Sequence, residues 1–464
     1  MENINYQDLI DATNGKLISG NLSREIRSVS TDSRTANKDE VFFALIGKKF
    51  DGHMFIKQVI KKEVSGVVVS RITNELKELS SNQTPVVILV NDTITALGDF
   101  AKYYRKKFSS LKVIAVTGSN GKTTTKEMIY HILNNTERTL ANIGSFNNYI
   151  GLPLTLFNLN SEHKYCVLEV GISFPGEIER LIDISIPDIS VITNIGRTHL
   201  EFFKNTDNVF NEKKKIVEFL PITGLAIINA DDIYLKTLIG KLRCSVITFG
   251  FTTEAQIHPE NIYLLSADRT IFDLCFPNSK RIRINLNTSG RFNIYNSLAA
   301  AATAYGLGVS PDVIKSGLEN FLPINMRWKI INHKTGAIII DDAYNANPDS
   351  MKESLLHLIE VYPERKKVVV LGDMLELGDR SEQEHRELGR FIKNLGIDRI
   401  YLLGENMKWT NEEINSESLT SYFQTKETLI QQLNNDIGLD NNCVIFFKAS
   451  RGIGLDKIIN ELIK

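Results

Sequence analysis

Residues 112–133 read KVIAVTGSNGKTTTKEMIYHIL. An apolar run, VIAV, is followed by a glycine-bearing turn and then by the helical stretch KTTTKEMIYHIL. Strand, turn and helix in that order are what a phosphate-binding loop requires. Glycines let backbone N–H groups close around phosphate oxygens, and the start of the helix adds positive potential. The loop comprises Thr117, Gly118, Ser119, Asn120, Gly121, Lys122, Thr123 and Thr124. Lys122 has the reach for the β- and γ-phosphates of ATP, and the Thr123 hydroxyl can hold Mg2+. Val116 stands where the general pattern places its first glycine. A chance Gly-Lys-Thr in a turn is the plain alternative.

Outward from this loop the chain has three rhythms. Residues 1–107 mix short apolar strands, such as VSGVVVS (64–70), with helices, and end in the basic segment RKKFSS (105–110). From 108 to 325 the runs KVIAVT, KYCVLEV, DISVITN and GLAIINA alternate with helical stretches. Apolar runs of this length between helices read as buried parallel strands. After the proline-containing connection FLPIN (321–325), residues 326–464 begin a second series, with GAIIIDD, KKVVVLGD, DRIYLLGE and CVIFFKAS as strands. The fold class is therefore α/β in three domains: an N-terminal domain, a central P-loop domain on a parallel sheet, and a C-terminal domain on an open, doubly wound, Rossmann-like sheet. In such sheets ligands bind beyond the carboxyl ends of the strands. Both sheets carry polar residues there, which points to a site between domains.

Composition narrows the class. Lys and Arg number 54 against 55 Asp and Glu, giving a net charge of −1. That balance speaks against a nucleic-acid protein. Four scattered cysteines without a CxxC pair read as reduced, buried thiols. The N-terminus has no basic region followed by an apolar run, and no apolar stretch suits a membrane span. A cytoplasmic protein without membrane insertion is expected.

Among the rim residues, Glu169 lies in the apolar strand KYCVLEVG (164–171), where a carboxylate is costly unless paired or bound to a cation. An ion pair and Mg2+ ligation both fit. His199, in TNIGRTHLE (193–201), fits a structural hydrogen bond or a metal and catalytic role. The run Glu212-Lys213-Lys214-Lys215 reads as a solvated helix face. Asp341 and Asp342 suit ribose or metal, or an N-cap for the helix after Pro348.

Taken together these segments resemble the Mur ligase family, ATP-dependent amide ligases of peptidoglycan precursor synthesis. The loop resembles the family's TGTNGKT form, which also lacks the first glycine. ITNIGRTHLE resembles the family's magnesium-binding histidine segment, LEVG its glutamate, and NADD (229–232) and GRFNIYNSLAAAA (290–302) its adenine-holding segments. FNNYIGLPLTL (146–156), DDAYNANPDSM (341–351), LGDMLELGDRSEQEH (371–385) and the stretch 30–56, which resembles a domain gripping the UDP end of a substrate, extend the resemblance over nearly the whole chain. Phe292 stands where the family commonly has His, and Met326 where it usually has Gly.

The resemblance implies ATP and Mg2+ as cofactors, with UDP-N-acetylmuramoyl-tripeptide and D-alanyl-D-alanine as substrates of a monomeric enzyme. It implies catalytic roles for Lys122, Glu169, His199 and Lys213, the last as a carbamylated lysine counted from the Leu-Pro and Ile-Asn-Ala-Asp landmarks. Thr123, Glu169, His199 and carbamylated Lys213 would hold metal. Asn293, Asn296, Arg327, Asp342 and Asn345 would join the loop in binding nucleotide. Ser33, Arg34, Asp51, Gly52, His53, Asn147, Asn148, Asn347, Lys448 and Ser450 would contact the other substrates. The competing readings are another Mur-type ligase, a folylpolyglutamate synthetase, and a nucleotide-gated ATPase without a ligation step.

Overall fold

The computed structural model describes residues 1–47, 49–78, 85–144, 146–436 and 442–463; Lys48, within the stretch 30–56, lies outside them. Four sheets follow one another along the chain. The first has five strands, ordered Lys16–Ser19, Val86–Leu89, Gly66–Val69, Glu40–Phe43 and Ser28–Ser30, and only the first pair is antiparallel. The second has six parallel strands in the order Ser245–Phe249, Leu225–Asn229, Ile189–Ile192, Lys112–Thr117, Tyr165–Glu169 and Thr139–Ala141. Lys112–Thr117 lies at its middle, so the loop that follows leaves from the most buried strand.

Both faces of the second sheet are covered. On one, the helix Thr93–Lys106 packs Phe100, Ala101 and Tyr104 into an apolar cluster shared with the first sheet. The basic segment at 105–110 is therefore not a solvated connection throughout. Arg105 is buried, donates to the carbonyls of Ser185 and Ile186 and pairs with Asp188. On the other face, the helices Lys122–Asn134 and Arg291–Gly306 lie side by side, with Ala299–Ala302 fully buried. Alanine has the highest helix propensity and occupies little volume, so the two helices approach closely.

A third, antiparallel sheet of His258–Ser266, Arg269–Cys275 and Arg281–Leu286 was not foreseen from the sequence. Its inner face, with Phe272, Leu274, Ile284 and Leu286, joins the core around Lys122–Asn134. The fourth sheet is ordered Lys329–Asn332, Ile338–Asp341, Cys443–Lys448, Lys366–Gly372, Arg399–Leu403 and Thr420–Phe423. It is parallel except at the first pair, with apolar clusters on both faces. All four cysteines are buried. Among the described residues no helix is long and apolar enough to cross a membrane.

Candidate active site

The phosphate loop has a shape that only glycine permits at two positions. Gly118 has φ +150°, and a Cβ there would stand 1.9 Å from Thr193 Oγ1. Gly121 caps the helix Lys122–Asn134 with φ +79°, and its Cβ would meet Asn296 Oδ1 at 2.2 Å. The neighbouring strand end braces the turn. Ser119 N–H donates to the Asn194 carbonyl and Asn120 N–H to Asn194 Oδ1, each at 2.9 Å, and Thr193 Oγ1 donates to the Asn120 carbonyl at 2.5 Å. Lys122 folds back onto the loop, donating to the carbonyls of Gly118 and Ser119 at 2.9 and 3.4 Å. Burial lowers its pKa; Glu169 opposes that shift and Arg327 adds to it.

Glu169 ends its strand only 3% exposed. Oε1 accepts from Asn147 Nδ2 at 2.7 Å, while Oε2 is buried without a hydrogen-bond partner. No cation pairs with it among the described residues. A desolvated carboxylate oxygen left open in this way is a ready cation ligand, and the ion-pair alternative is not what the structure shows. His199 sits at φ +54°, a strained setting for a non-glycine residue and one that clusters at functional sites. Its Nδ1 lies 2.5 Å from Glu376 Oε2, although the approach falls outside hydrogen-bond geometry. Burial lowers the His199 pKa, Glu376 opposes this, and the charges of Lys213 and Lys122 add to it. The neutral imidazole, the form that ligates metals, is thereby favoured.

The run 212–215 is not a solvated face, and that expectation is corrected. Glu212 is 4% and Lys213 1% exposed. Glu212 Oε1 accepts from Gly176 N–H and Ile178 N–H at 2.9 and 3.2 Å, capping the start of the helix Glu177–Ser185. An anion there meets the positive end of the helix and two otherwise orphaned donors. Replacing Glu212 by Ala should cost about 1–3 kcal/mol, read as a lower urea midpoint with unchanged slope. Among the described residues the Lys213 side chain makes no hydrogen bond or ion pair. Its pKa falls well below the lysine range, chiefly by burial and further through the charge of Lys122.

The last sheet closes over the loop from the opposite side. Arg327 Nη2 donates to Thr123 Oγ1 at 2.6 Å, its guanidinium lies 4.2 Å from the centre of the Tyr344 ring, and its Nε is buried without a partner. Asn347 Nδ2 donates to Asn120 Oδ1 at 2.7 Å. Arg197 reaches across to Asp349 at 2.6 Å and Glu384 at 2.8 Å. Met326, at a position the family usually fills with glycine, has φ +64°. Holding a side chain in that conformation costs roughly 1–2 kcal/mol. The turn it makes aims Arg327 at the loop.

These elements enclose a cleft of about 1030 Å³. Of the residues expected at the site, Ser119–Thr124, Asn147, Asn148, Glu169, His199, Asn293, Asn296, Arg327, Asp342, Asn345, Asn347, Lys448 and Ser450 line it. Thr117 and Gly118, at the start of the loop, do not line the cleft, and Lys213 is outside the lining yet near enough for its charge to act on His199. Asp342 Oδ2 pairs with Lys448 Nζ at 2.6 Å, and Asn345 offers its carbonyl to the same amine at 3.3 Å. The helix Pro348–Val361 is N-capped by Asn347, not by Asp341 or Asp342. Asp231 and Asp232 accept from backbone N–H groups of Phe251, Thr252, Ile195, Tyr234 and Leu235, so NADD shapes the rim.

Ser33 and Arg34 lie in the loop between Ser28–Ser30 and Glu40–Phe43 of the first sheet, and Asp51, Gly52 and His53 in the connection after Glu40–Phe43, all outside this cleft. Asp51 pairs with both His53 and Arg71 and is held at about 2, these partners outweighing its burial. Arg34 pairs with Asp32, and the Ser33 carbonyl accepts from Lys62 Nζ at 2.9 Å. The sequence assigns no role to Arg197 or Glu376, although both lie within quoted segments; a charge brought beside His199 only in three dimensions leaves no local signal.

Successive parts of the chain match the models for the Mur ligase family catalytic domain (residues 25–105), the Mur ligase middle domain (116–304) and the Mur ligase glutamate ligase domain (326–451). The chain belongs to the Mur ligase family. It is 35% identical over 443 residues to UDP-N-acetylmuramoyl-tripeptide--D-alanyl-D-alanine ligase of Bacillus subtilis, covering 95% of this chain and 93% of that protein. It is 32% identical over 469 residues to the Escherichia coli enzyme of the same name, covering 100% and 99%. The crystal structure of MurF from Acinetobacter baumannii superposes with a TM-score of 0.90 at 32% identity, covering 99% of this chain and 98% of that one. MurF ligase from Thermotoga maritima, solved in complex with ADP, gives 0.82 at 27% identity, covering 94% and 96%.

Proposed function

We propose that this chain joins D-alanyl-D-alanine to UDP-N-acetylmuramoyl-tripeptide at the expense of ATP, forming the pentapeptide precursor of peptidoglycan with ADP and phosphate. The observation that carries this reading is the contact of Arg327 with Thr123. It sets the rim of the last sheet against the phosphate end of the nucleotide loop, where a transferred phosphoryl group and an incoming amine have to meet. The terminal carboxylate of the tripeptide attacks the γ-phosphorus; its O–P bond forms as the bond to ADP breaks. The dipeptide amine, having lost its proton, then attacks the acyl carbon. An amide C–N bond forms, and phosphate leaves through a tetrahedral intermediate.

Phosphoryl transfer of this kind needs positioning and charge neutralisation more than covalent help. Lys122 supplies charge at the β- and γ-phosphates, the loop N–H groups hold their oxygens, and Arg327 approaches from the opposing lobe. Asn293 and Asn296 lie on the helix beside the loop, on the nucleotide side. Glu169 Oε2, buried and unpartnered, fits Mg2+ together with Thr123, and His199 with a carbamylated Lys213 would hold a second Mg2+. Bound there, Mg2+ supplies charge neutralisation at the triphosphate and the acyl phosphate. Lys213 suits carbamylation because its burial favours the neutral, nucleophilic amine. The cleft walls exclude water, protecting the acyl phosphate until the amine arrives.

In the same reading, Ser33, Arg34 and Asp51–His53 on the domain of residues 1–107 grip the UDP end. Asn147, Asn148, Asn347, Lys448 and Ser450 meet the peptide parts, and the enzyme works as a cytoplasmic monomer. Phosphate release measured with ATP and a panel of UDP-linked peptides and dipeptides tests the assignment. Release should require UDP-N-acetylmuramoyl-tripeptide and D-alanyl-D-alanine together. Equal release without the dipeptide, or with a single amino acid in its place, would overturn it.

A further inference from the structure

On the antiparallel sheet of residues 258–286, away from the cleft, His258 stands directly opposite Cys275 in the ladder. Glu260 is two residues along from His258, hence on the same face. One ligand atom from each of the three lies within 4.8 Å of the others, and among the described residues this is the only such group of three or more His, Cys, Asp or Glu side chains. His258 Nδ1 is 2.9 Å from the Ala255 carbonyl oxygen. A carbonyl only accepts, so Nδ1 carries a proton, and Nε2 is the ring nitrogen left to meet a cation. That nitrogen faces Glu260 Oε1 at 3.7 Å. Arg281 Nη2 donates to the same Oε1 at 3.2 Å and the Cys275 thiol donates to the Asp273 carbonyl at 3.8 Å, and imidazole, carboxylate and sulfur converge on one point.

We propose that His258, Glu260 and Cys275 form a binding site for a borderline divalent cation, Zn2+ above all. Imidazole, thiolate and carboxylate are the ligand types of four-coordinate zinc, with a fourth position left to solvent. Sulfur and nitrogen donors disfavour Mg2+. The surrounding bonds hold the ligands in place. The Ala255 carbonyl fixes the imidazole tautomer, and Arg281 holds the Glu260 carboxylate at 2.8 Å through Oε2, as the outer partners of metal ligands do. Asp273, opposite Glu260, is taken up by Arg283 and Asn261 and is no fourth ligand. The Cys275 thiol, 4% exposed, has its pKa raised by burial and by Glu260, so the cation must displace its proton.

The site ties two strands at the root of a hairpin whose tip, Ala267, accepts at its carbonyl from Trp328 Nε1 at 3.4 Å and from Ser289 Oγ. A bound cation would stiffen the arm that touches the C-terminal lobe.

Titration of the full-length protein with Co2+, anaerobically and in excess Mg2+ to occupy oxygen-rich sites, tests this. A near-ultraviolet sulfur-to-cobalt band should saturate at one equivalent and be bleached by Zn2+. Cys275→Ser should remove the band, and His258→Ala, which leaves the thiol in place, should weaken Co2+ binding about tenfold or more. A wild-type protein without the sulfur band, a band that survives in Cys275→Ser, or an unchanged affinity in His258→Ala would each overturn the assignment.

Discussion

Lys122→Ala is expected to lower ATP-dependent phosphate release by roughly 10²–10³-fold, the scale set by removing one preorganised charge stabiliser from a phosphoryl or acyl transfer site. The lysine is half-buried beside the loop, so little bulk solvent can replace its charge. Its two hydrogen bonds run to carbonyls of the loop that it serves. The substitution therefore removes the positive charge that the proposed function sets at the γ-phosphoryl group, while Arg327 is held against the Tyr344 ring. The loss should fall on kcat more than on KM, because the compensated charge grows as the phosphoryl group transfers. Turnover within a few-fold of the parent enzyme would refute the role given to the loop.

Lys213→Ala should lower turnover by about 10²-fold, and unlike Lys122→Ala it should be open to chemical rescue. The buried amine has no partner to lose, so its removal leaves a small cavity and no unpaired charge. Formate or acetate can enter that space and restore a carboxylate where the carbamate would stand. Removal of dissolved CO2 should in turn slow the parent enzyme, and bicarbonate should restore it. A variant indifferent to short carboxylates, together with a parent enzyme indifferent to CO2, would count against carbamylation while leaving the ATP site intact.

What the sequence disclosed was mostly local. The phosphate loop was legible because a strand, a glycine turn and a helix are contiguous, and Glu169 because a carboxylate inside an apolar strand is anomalous whatever surrounds it. The parallel strands of the second and fourth sheets were legible from continuous apolar runs. The antiparallel sheet at 258–286 was not, since its alternation of Phe272 and Leu274 with Asp273 lies within a stretch of otherwise helical and parallel rhythm. Glu212 and Lys213 were misread for a related reason. A run of charge is solvated unless another element covers it, and the helix Glu177–Ser185, distant in sequence, uses Glu212 as its cap. Likewise the Glu376 approach to His199 and the Arg197 bridge to Asp349 join residues more than 150 positions apart. Only the folded chain brings them together.

The contact of Arg327 with Thr123 has a consequence beyond placing one side chain. With Lys122 nearby, it brings two positively charged groups to one cavity, and the charge of Arg327 acts on that of Lys122. Without a nucleotide this gathering is a compressed electrostatic spring: like charges held together by the packing of two lobes. In the proposed reaction a polyphosphate entering the cleft is a counter-ion before it is a reactant, and its charge offsets that repulsion. Departure of phosphate after the amine has attacked would remove part of that counter-charge and so weaken the hold on ADP.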